Sequence, residues 1–276
     1  MRISVTQMIE SSPALKAASL LHSDNFDLII SGVLNIYNDL SSEEVDLIAK
    51  TNKIRQIQFS GNRVSNSTLI LINEKLLPLA PYINLHVILN GNGAFNTLDF
   101  LSYLPQLKHL NVDLFRNDEI DKINQYLTLE SLAIGAYSIS IKKIAVHGSL
   151  RKLFIYKKPK DIEIVGKMDW LENLTFSGQT LKSLDFLLPL KQLTELRFMI
   201  GGTKTLASLP AIGRIEKLSF IAVRQLTIEN LLPINEMQYL KYLFFDAQPH
   251  LTDLHWLKNK SIKTEVINCK NFQGFV

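Results

Sequence analysis

Apolar residues recur along the chain in a six-residue pattern, L-x-x-L-x-[LIVF], that repeats about every 22 residues. Nine copies follow one another at intervals of 28, 25, 22, 21, 21, 22, 22 and 25 residues. They begin at Ile54, Tyr82, Leu107, Leu129, Leu150, Leu171, Leu193, Ile215 and Leu240. Alternation of apolar and other positions inside each copy predicts a short β-strand with one buried face.

A second set of apolar residues lies nine, six and three positions before the start of a copy. Six copies have apolar residues at all three of these positions: Leu98/Leu101/Leu104, Ile120/Ile123/Tyr126, Ile162/Val165/Met168, Leu184/Leu187/Leu190, Leu206/Leu209/Ile212 and Leu231/Ile234/Met237. A spacing of three places side chains on one face of a 3-10 helix. Each repeat is therefore predicted to be a strand, a turn and a 3-10 or helical return.

One such unit cannot bury its apolar face alone, whereas stacked units share a continuous core. The predicted fold is an α/β solenoid with a parallel sheet on its concave side and 3-10 or helical returns on its convex side. We predict one continuous domain in three parts. Residues 1–50 form an N-terminal α/β cap, residues 51–250 form about nine repeats, and residues 251–276 form a degenerate last repeat with a C-terminal cap.

The predicted N-terminal cap has three elements. Ser11-Ser12-Pro13 indicates the start of a helix that runs to Leu21, because proline favours the first turn. Residues 26–37 are rich in strand-forming residues and predict one capping strand. Ser41-Ser42-Glu43-Glu44 indicates a helix start, with the helix running to about Ala49.

At the other end, Trp256 and a degenerate strand near residues 262–267 are predicted to close the stack. Glu265 falls there at a position that is apolar in the other copies, which weakens the register.

The repeat resembles that of leucine-rich repeat proteins, and its return resembles the 22-residue subclass typified by the bacterial internalins. The resemblance covers about Ile54 to Phe245 and implies the fold; the adhesive role of internalins is not carried over, since no export signal or surface anchor is recognised. The family usually carries a ladder-forming Asn eight residues after each start, and here only Asn62 and Asn90 fit. The other copies carry Phe115, Tyr137, Lys158, Gln179, Gly201, Val223 and Gln248, so we expect their turns to satisfy backbone groups differently.

Composition agrees with a chain that buries a large core: 46% of residues are hydrophobic, 20% are charged, and 45 are leucine. A net charge of +4 is a mild basic bias, weaker than that of a dedicated nucleic-acid binder. Cys269 is the single cysteine, which excludes an intramolecular disulfide. We expect it to pack as a small hydrophobic residue.

No apolar run reaches the roughly 18 residues of a membrane span, and Glu10 and Lys16 interrupt the N-terminal segment. We therefore expect a cytoplasmic location and no membrane association.

Motifs of catalysis and metal binding are not found: the sequence has no nucleophile elbow, Walker loop, H-E-x-x-H or paired cysteines. We therefore predict no enzyme, catalytic residue, cofactor or metal, and residues 201–205 (GGTKT) are interpreted as a permissive turn rather than a phosphate loop. His147 is expected to be a hydrogen-bonded core residue. His86 and His109 fall on adjacent strands and could approach Asp113, where a solvated surface is favoured over a metal site. An enzyme whose site forms only in three dimensions is the third hypothesis.

Residues two, four and six positions after each start are predicted to point away from the core. In the N-terminal half these outward residues are small and polar, whereas the C-terminal half carries aromatic, Met and Arg residues of the kind enriched in interfaces. The predicted partner-binding residues are Lys152, Phe154, Tyr156, Arg197, Met199, Lys217, Ile221, Tyr242 and Phe244. The alternative is that a long loop or the C-terminal tail covers part of this face.

One stretch, residues 142–160, holds seven basic residues and no acidic residue before Asp161. Aromatic residues interleave with the charges, as on single-strand nucleic-acid surfaces, but Lys142 and Lys143 lie in a return, which spreads the charge around the solenoid. The first hypothesis is thus a non-enzymatic module that binds a protein, of acidic character, on its concave face. Nucleic-acid binding through residues 142–160 is the alternative.

Overall fold

The computed structural model describes residues 4–60, 64–89, 94–114, 120–146 and 148–274. The chain forms two compact units, Met1–Leu132 and Ala133–Val276. Asn62, Asn90 and His147, for which the sequence makes specific predictions, lie outside the described residues. The division into cap, repeats and last repeat stays a prediction.

The first unit contains both helices and strands. Its α-helices are α1 (Val5–Ser11), α2 (Pro13–Ala18), α3 (Ser42–Lys50) and α4 (Asn66–Leu71), which continues as a π-helical turn over Ile72–Leu76. Its strands are β1 (Ser19–His22), β2 (Phe26–Ile29), β3 (Val33–Ile36), β4 (Gln56–Phe59), β5 (Asn84–Leu89) and β6 (His109–Leu114). Two 3-10 helices span Leu98–Tyr103 and Ile120–Gln125.

The two predicted helices of the N-terminal cap form, and one ends early. Helix α3 begins after Ser41, whose hydroxyl accepts a hydrogen bond from the Glu44 amide at 3.2 Å, while the Glu44 carboxylate accepts from the Ser41 amide at 2.9 Å. This reciprocal capping box satisfies two amides of the first turn. Helix α2 begins at Pro13 as predicted. It ends at Ala18 rather than Leu21, because the next residues pair with β2 as strand β1.

The predicted single strand over residues 26–37 is wrong, because a turn divides these residues into the hairpin β2–β3. Gly32 in that turn has φ of 90°, and a Cβ there would lie 2.5 Å from the Lys53 carbonyl oxygen. Only glycine fits both the left-handed backbone and this close approach. Strand β3 then pairs in parallel with β4, and β4, β5 and β6 continue the parallel order. The hairpin thus supplies the first parallel partner of the repeat strands.

In the second repeat the first core residue lies one position later than predicted, although strand β5 begins at the predicted residue, Asn84. Tyr82 is 54% exposed, whereas Ile83 is 1% exposed. Because side chains alternate along a strand, Ile83 lies on the same face as Leu85 and Val87, which are also buried. Ile83 therefore takes the core position that the pattern assigned to Tyr82. The first residue of each of the other eight copies is buried.

From residue 131 onward the repeat strands follow at the predicted spacing, and two short additional strands occur among them. They are β7 (Ser131–Ser140), β8 (Lys152–Lys160), β9 (Asn173–Ser177), β10 (Thr180–Leu181), β11 (Glu195–Met199), β12 (Gly202–Thr203), β13 (Lys217–Ile221), β14 (Tyr242–Asp246) and β15 (Lys263–Ile267). Strands β8, β9, β11, β13, β14 and β15 are parallel neighbours in this order, and β10 pairs with β12 in a separate two-stranded sheet. The repeat strands from β4 to β14 begin two residues after the start of their copies, which confirms the predicted pattern.

Short helical turns form the returns, as the three-residue spacing predicts. In the second unit, 3-10 helices span Lys142–Val146, Ile162–Lys167, Asp185–Leu187, Leu209–Ala211 and Leu232–Glu236, the last preceded by α5 (Ile228–Leu231). Leu184, Leu187 and Leu190 show the pattern clearly, since all three are fully buried. Parallel strands that alternate with 3-10 returns and bury an apolar face give a leucine-rich repeat solenoid.

A column of phenylalanines runs through the core of the second unit. The rings of Phe176, Phe198, Phe220 and Phe245 stack in sequence, with centroids 6.1, 5.7 and 5.6 Å apart. Trp256 meets the last ring edge-on at 6.4 Å and is itself 9% exposed. Each aromatic pair adds about 0.5–1.5 kcal/mol beyond the area it buries. Trp256 therefore closes the stack, as predicted.

Buried glutamines replace the asparagine ladder in part. Gln248 is 4% exposed, and its Nε2 donates to the Phe220 carbonyl at 3.1 Å and to the Asp246 carbonyl at 2.7 Å. Gln179 Nε2 donates to the Ile155 and Lys157 carbonyls of β8, at 3.3 and 3.2 Å. The Ile155 bond corresponds to the Phe220 bond of Gln248. In these copies the backbone acceptors are satisfied by a longer amide side chain.

Left-handed residues join successive repeats just after the strands. Ile200, Ala222 and Ala247 have φ near 50°, and their amides donate to the last carbonyl of the following strand at 2.9, 2.9 and 3.1 Å. Gly201 comes next in its copy, where a Cβ would lie 2.0 Å from the Gln179 carbonyl oxygen. A ladder asparagine has no room there, which explains the departure at this repeat.

The last repeat has a different register from the one predicted. Strand β15 begins at Lys263, which pairs with Tyr242, so Glu265 pairs with Phe244. Glu265 therefore lies on the outward face rather than at a core position, and the expectation that it weakens the register is wrong. Thr264 and Val266 take the inward positions of this strand and are half-buried.

Candidate functional site

Outward side chains of strands β8, β9, β11, β13, β14 and β15 form three rows across the second unit; we call them the strand face. Parallel pairing in register places equivalent residues side by side. The first row is Lys152, Asn173, Glu195, Lys217, Tyr242 and Lys263. The second is Phe154, Thr175, Arg197, Ser219, Phe244 and Glu265. The third is Tyr156, Ser177, Met199, Ile221, Asp246 and Ile267.

Two aromatic pairs lie near the two sides of the strand face. The rings of Phe154 and Tyr156 are 5.2 Å apart, and those of Tyr242 and Phe244 are 6.4 Å apart and nearly parallel. All four side chains are half-buried. Four strand spacings of about 4.8 Å separate the two pairs, or roughly 19 Å. Between them Met199 and Ile221 occupy neighbouring positions of the third row and are also half-buried.

Charged side chains on strands β11 and β15 of the strand face take part in short contacts. Arg197 pairs with Glu195 at 3.1 Å, and Glu195 also accepts a hydrogen bond from Asn173 at 2.9 Å. Lys263 pairs with Glu265 at 3.0 Å. The Arg197–Glu195 group lies between the two aromatic pairs, and the Lys263–Glu265 pair lies beyond Tyr242 and Phe244.

The Tyr242 hydroxyl contacts the Lys263–Glu265 pair. It donates to the Glu265 carboxylate at 2.8 Å. Burial and this hydrogen bond raise the pKa of Tyr242, and the hydrogen bond together with Lys263 lowers the pKa of Glu265. Lys263 also lies over the Tyr242 ring, 5.6 Å from its centroid. The ionised carboxylate thus positions the aromatic side chain.

Lys152 and Lys217 differ from the other cations of the strand face. Both are exposed in the first row, and neither has an acidic partner within 4.0 Å among the described residues. They leave a net positive charge beside the aromatic residues. The structure therefore places all nine predicted partner-binding residues in one unit and on one face, while their binding role stays a prediction.

Sequence reasoning missed Glu195, Lys263 and Glu265 as members of this group. Glu195 falls at an outward position of the pattern, two residues before Arg197. The opposite signs of these two charges were the available signal for an ion pair. The other two were missed because the register of β15 was placed one residue out. With β15 placed in its observed register against β14, the sequence would predict the oppositely charged Lys263 and Glu265 beside Tyr242.

The basic stretch at residues 142–160 is divided between different sides of the repeats. Lys142 and Lys143 lie in a 3-10 return, Lys152 lies on the strand face, and Lys158 and Lys160 are exposed at the end of β8. Strand β8 spans nine residues, against five for β9, so its basic end continues past the rows described above. The predicted spread of this charge is confirmed.

The remaining candidate sites among the described residues concern metal binding, phosphate binding and the single thiol. His86 lies 3.7 Å from the Asp113 carboxylate, as the strand positions predict, but no three His, Cys, Asp or Glu side chains of the described ranges come together as metal ligands. Residues 201–205, predicted to be a permissive turn, contain strand β12. Thr203 of that strand is fully buried and its hydroxyl donates to the Thr205 carbonyl at 2.9 Å, which is unsuited to a phosphate loop. Burial raises the pKa of the Cys269 thiol.

Comparisons with known proteins give similarities in structure. No protein-family model and no curated protein matches the sequence. The chain is similar to an internalin, inlF, from Listeria monocytogenes, with 20% identity, a TM-score of 0.46, and coverage of 81% of this chain and 70% of that one. It is also similar to internalin C2 of the same organism, with 13% identity, a TM-score of 0.43, and coverage of 68% and 80%.

A third similarity is to the functional domain of InlJ from Listeria monocytogenes, described as including a cysteine ladder. The identity is 12%, the TM-score is 0.39, and the coverage is 86% of this chain and 57% of that one. The leucine-rich repeat fold of this chain is established by its own strands, returns and register. In the described part of the chain, no helix has the length and apolar character needed to cross a membrane.

Proposed function

We propose that this chain is a non-enzymatic protein-binding module whose strand face contacts the partner. The observation that carries the proposal is the pair of aromatic clusters, Phe154/Tyr156 and Tyr242/Phe244, presented on one regular face with Met199 between them. Aromatic, Met and Arg side chains dominate the energetics of protein interfaces. A solenoid also presents its side chains on a rigid support, so little conformational order is lost on binding.

An acidic partner fits this face better than a neutral one. Lys152 and Lys217 carry charges that no described side chain compensates, and a complementary negative surface would accelerate association. Lys158 and Lys160, exposed at the end of β8, add further positive charge to that strand. We therefore propose a partner whose contact surface is acidic around an apolar centre.

The test is capture from nuclease-treated native lysate with the full chain as bait. Wild type is compared with Phe154→Ala/Tyr156→Ala, because truncating aromatic hot-spot residues costs about 2 kcal/mol or more, or roughly thirtyfold in affinity. The matched control is Leu232→Ser/Tyr239→Ala, which removes apolar side chains that are 48% and 47% exposed outside the strands. Circular dichroism and thermal unfolding confirm that each variant is folded.

Loss of a protein from the strand-face variant, with retention by the control, supports the proposal. Equal capture by all three baits would overturn it. The nucleic-acid alternative on residues 142–160 predicts that RNA or DNA co-purifies without nuclease, with an affinity that falls steeply as salt rises. The cytoplasmic location and the lack of enzymatic activity stay predictions, and fractionation of cells that express the tagged chain tests the first.

A further inference from the structure

A depression of about 410 Å³ lies in the strand face beside the second aromatic pair. Outward side chains of strands β11, β13, β14 and β15 line it. We propose that it holds one carboxylate side chain, Asp or Glu, of the bound protein; this inference rests on the proposed function and adds the chemistry of recognition.

Charge in the depression is positive by one unit, and the excess lies on Lys217. Of the three cations that line the site, Arg197 and Lys263 are each paired with a glutamate, at 3.1 and 3.0 Å. Lys217 stands between these pairs in the first row and has no acidic partner among the described residues. An anion that enters the depression therefore meets an ammonium group that is not already neutralised.

The hydrogen-bonding groups of the depression also favour an anion, because unused donors remain in it. Each carboxylate oxygen already has one partner: Glu195 accepts from Arg197 and Asn173, and Glu265 accepts from Tyr242 and Lys263. Donors, in contrast, are left over. The unused donors favour a ligand that brings acceptors, and an ionised carboxylate is a group that only accepts.

Three donors are left over. The Arg197 Nε is buried and has no acceptor. Ser219 is 4% exposed, next to Arg197 in the second row, and its hydroxyl bonds no described residue. Lys217 Nζ is the third. The first two belong to neighbouring strands in register and the third to the row beside them, so the donors are grouped on one side of the depression.

Apolar neighbours indicate a protein side chain rather than a small anion. Met199 and Ile221 lie two residues further along β11 and β13, and Phe244 adjoins Ser219 in the second row. A strand advances about 3.3 Å per residue, so these side chains begin roughly 7 Å from the donors. A ligand that fills both regions carries a carboxylate next to apolar side chains, as an acidic residue in an apolar segment does.

The experiment titrates ¹⁵N-labelled full-length chain with acetyl-Gly-Leu-Glu-Phe-Gly-amide and with the same peptide carrying Gln in place of Glu. The readouts are the Nε–Hε signal of Arg197 and the backbone amide signal of Ser219. The variants are Lys217→Gln and Ser219→Ala, and the control is Lys191→Gln, an exposed lysine outside the depression. Inorganic phosphate and oligothymidylate are tested as competitors.

We expect saturable shifts with the Glu peptide and about tenfold weaker binding for the Gln peptide or for Lys217→Gln, since a hydrogen bond to a charged group is lost. The control should match wild type. Equal binding of the two peptides, or no saturable shift, would overturn the carboxylate site. Stronger binding of phosphate or oligothymidylate would overturn it as well, in favour of a phosphate ligand.

Failure here and failure of the proposed function are distinguishable. If Phe154→Ala/Tyr156→Ala abolishes capture while Lys217→Gln changes neither capture nor peptide binding, the binding face stands and the carboxylate site is wrong. If the Glu peptide binds through Lys217 while no strand-face variant affects capture, the carboxylate site stands and the proposed binding face is wrong.

Discussion

Two buried glutamines occupy equivalent turns, and replacing each by methionine should have unequal effects. Gln→Met keeps the side-chain length and removes both hydrogen bonds, so the loss of bonds is measured with little change in packing volume. Gln248→Met removes bonds of 3.1 and 2.7 Å, and Gln179→Met removes bonds of 3.3 and 3.2 Å.

For Gln248 the expected cost follows from two bonds at about 1 kcal/mol each, or roughly 2 kcal/mol. The full penalty for an unsatisfied acceptor does not apply at Asp246, because its carbonyl also accepts from the Ala222 amide at 2.9 Å. In a chain of this size, 2 kcal/mol lowers the melting temperature by roughly 4 °C or more.

For Gln179 the longer bonds contribute less, and a second effect opposes their loss. Its Oε1 is buried and has no hydrogen-bond partner, which costs about 1–3 kcal/mol in the wild type. Methionine removes that unsatisfied atom together with the two bonds. The expected net change is under about half of that at Gln248.

Urea unfolding of both variants, followed by circular dichroism and by the fluorescence of Trp256 and Trp170, measures the two free energies. The midpoints are compared at a common m-value, since a changed m-value signals loss of two-state behaviour. If Gln179→Met destabilises as much as Gln248→Met, or if Gln248→Met costs under about 0.5 kcal/mol, the assignment of these glutamines to the ladder is wrong.

Three further predictions concern stability. Gly166→Ala should cost about 1–3 kcal/mol, because the added Cβ would lie 1.9 Å from a carbonyl oxygen; Gly148→Ala, with nothing within 4 Å, is the control in the same thermal assay. Ile200→Asn should raise the melting temperature, gaining up to about 1 kcal/mol, because a β-branched residue at φ 49° is strained and this one is 65% exposed; a lower melting temperature contradicts this. Burial acts to raise the pKa of Glu44, but hydrogen bonds from Ser41 and neighbouring side chains hold it below its usual value. Its stabilisation is therefore present above the unfolded value near 4.5 and lost as pH falls through the lowered value, so the stability difference from Glu44→Gln should shrink in acid denaturation series.

The positions of the repeat strands could be predicted from the sequence because one stacked core imposes one period. Nine strands begin where the pattern places them, and the 3-10 returns bury the predicted residues. Tyr82 was misplaced since an aromatic residue satisfies an apolar pattern even when it is exposed. Ile83, one residue later, takes the core position because the alternation of β5 decides between them.

Pattern reasoning failed where a contact with a neighbouring element decides the structure. The β2–β3 hairpin depends on Gly32 approaching the Lys53 carbonyl, which no local propensity encodes. At Glu265 a single-residue error in register moved a side chain to the opposite face, because side chains alternate with a period of two. That error concealed the partner of Tyr242 and thus part of the candidate site.

The in-register stacking of β9, β11 and β13 has a consequence for how such a face can change. Leu174, Leu196 and Leu218 are aligned across these strands, and their repeats are each 22 residues apart. Removal of residues 193–214 would set β9 beside β13 with inward and outward sides preserved. The two aromatic pairs would then be one spacing, about 4.8 Å, closer. Duplication or loss of a repeat therefore changes the distance between the two aromatic pairs by one strand spacing at a time. Each such change would alter which partner surfaces fit both pairs.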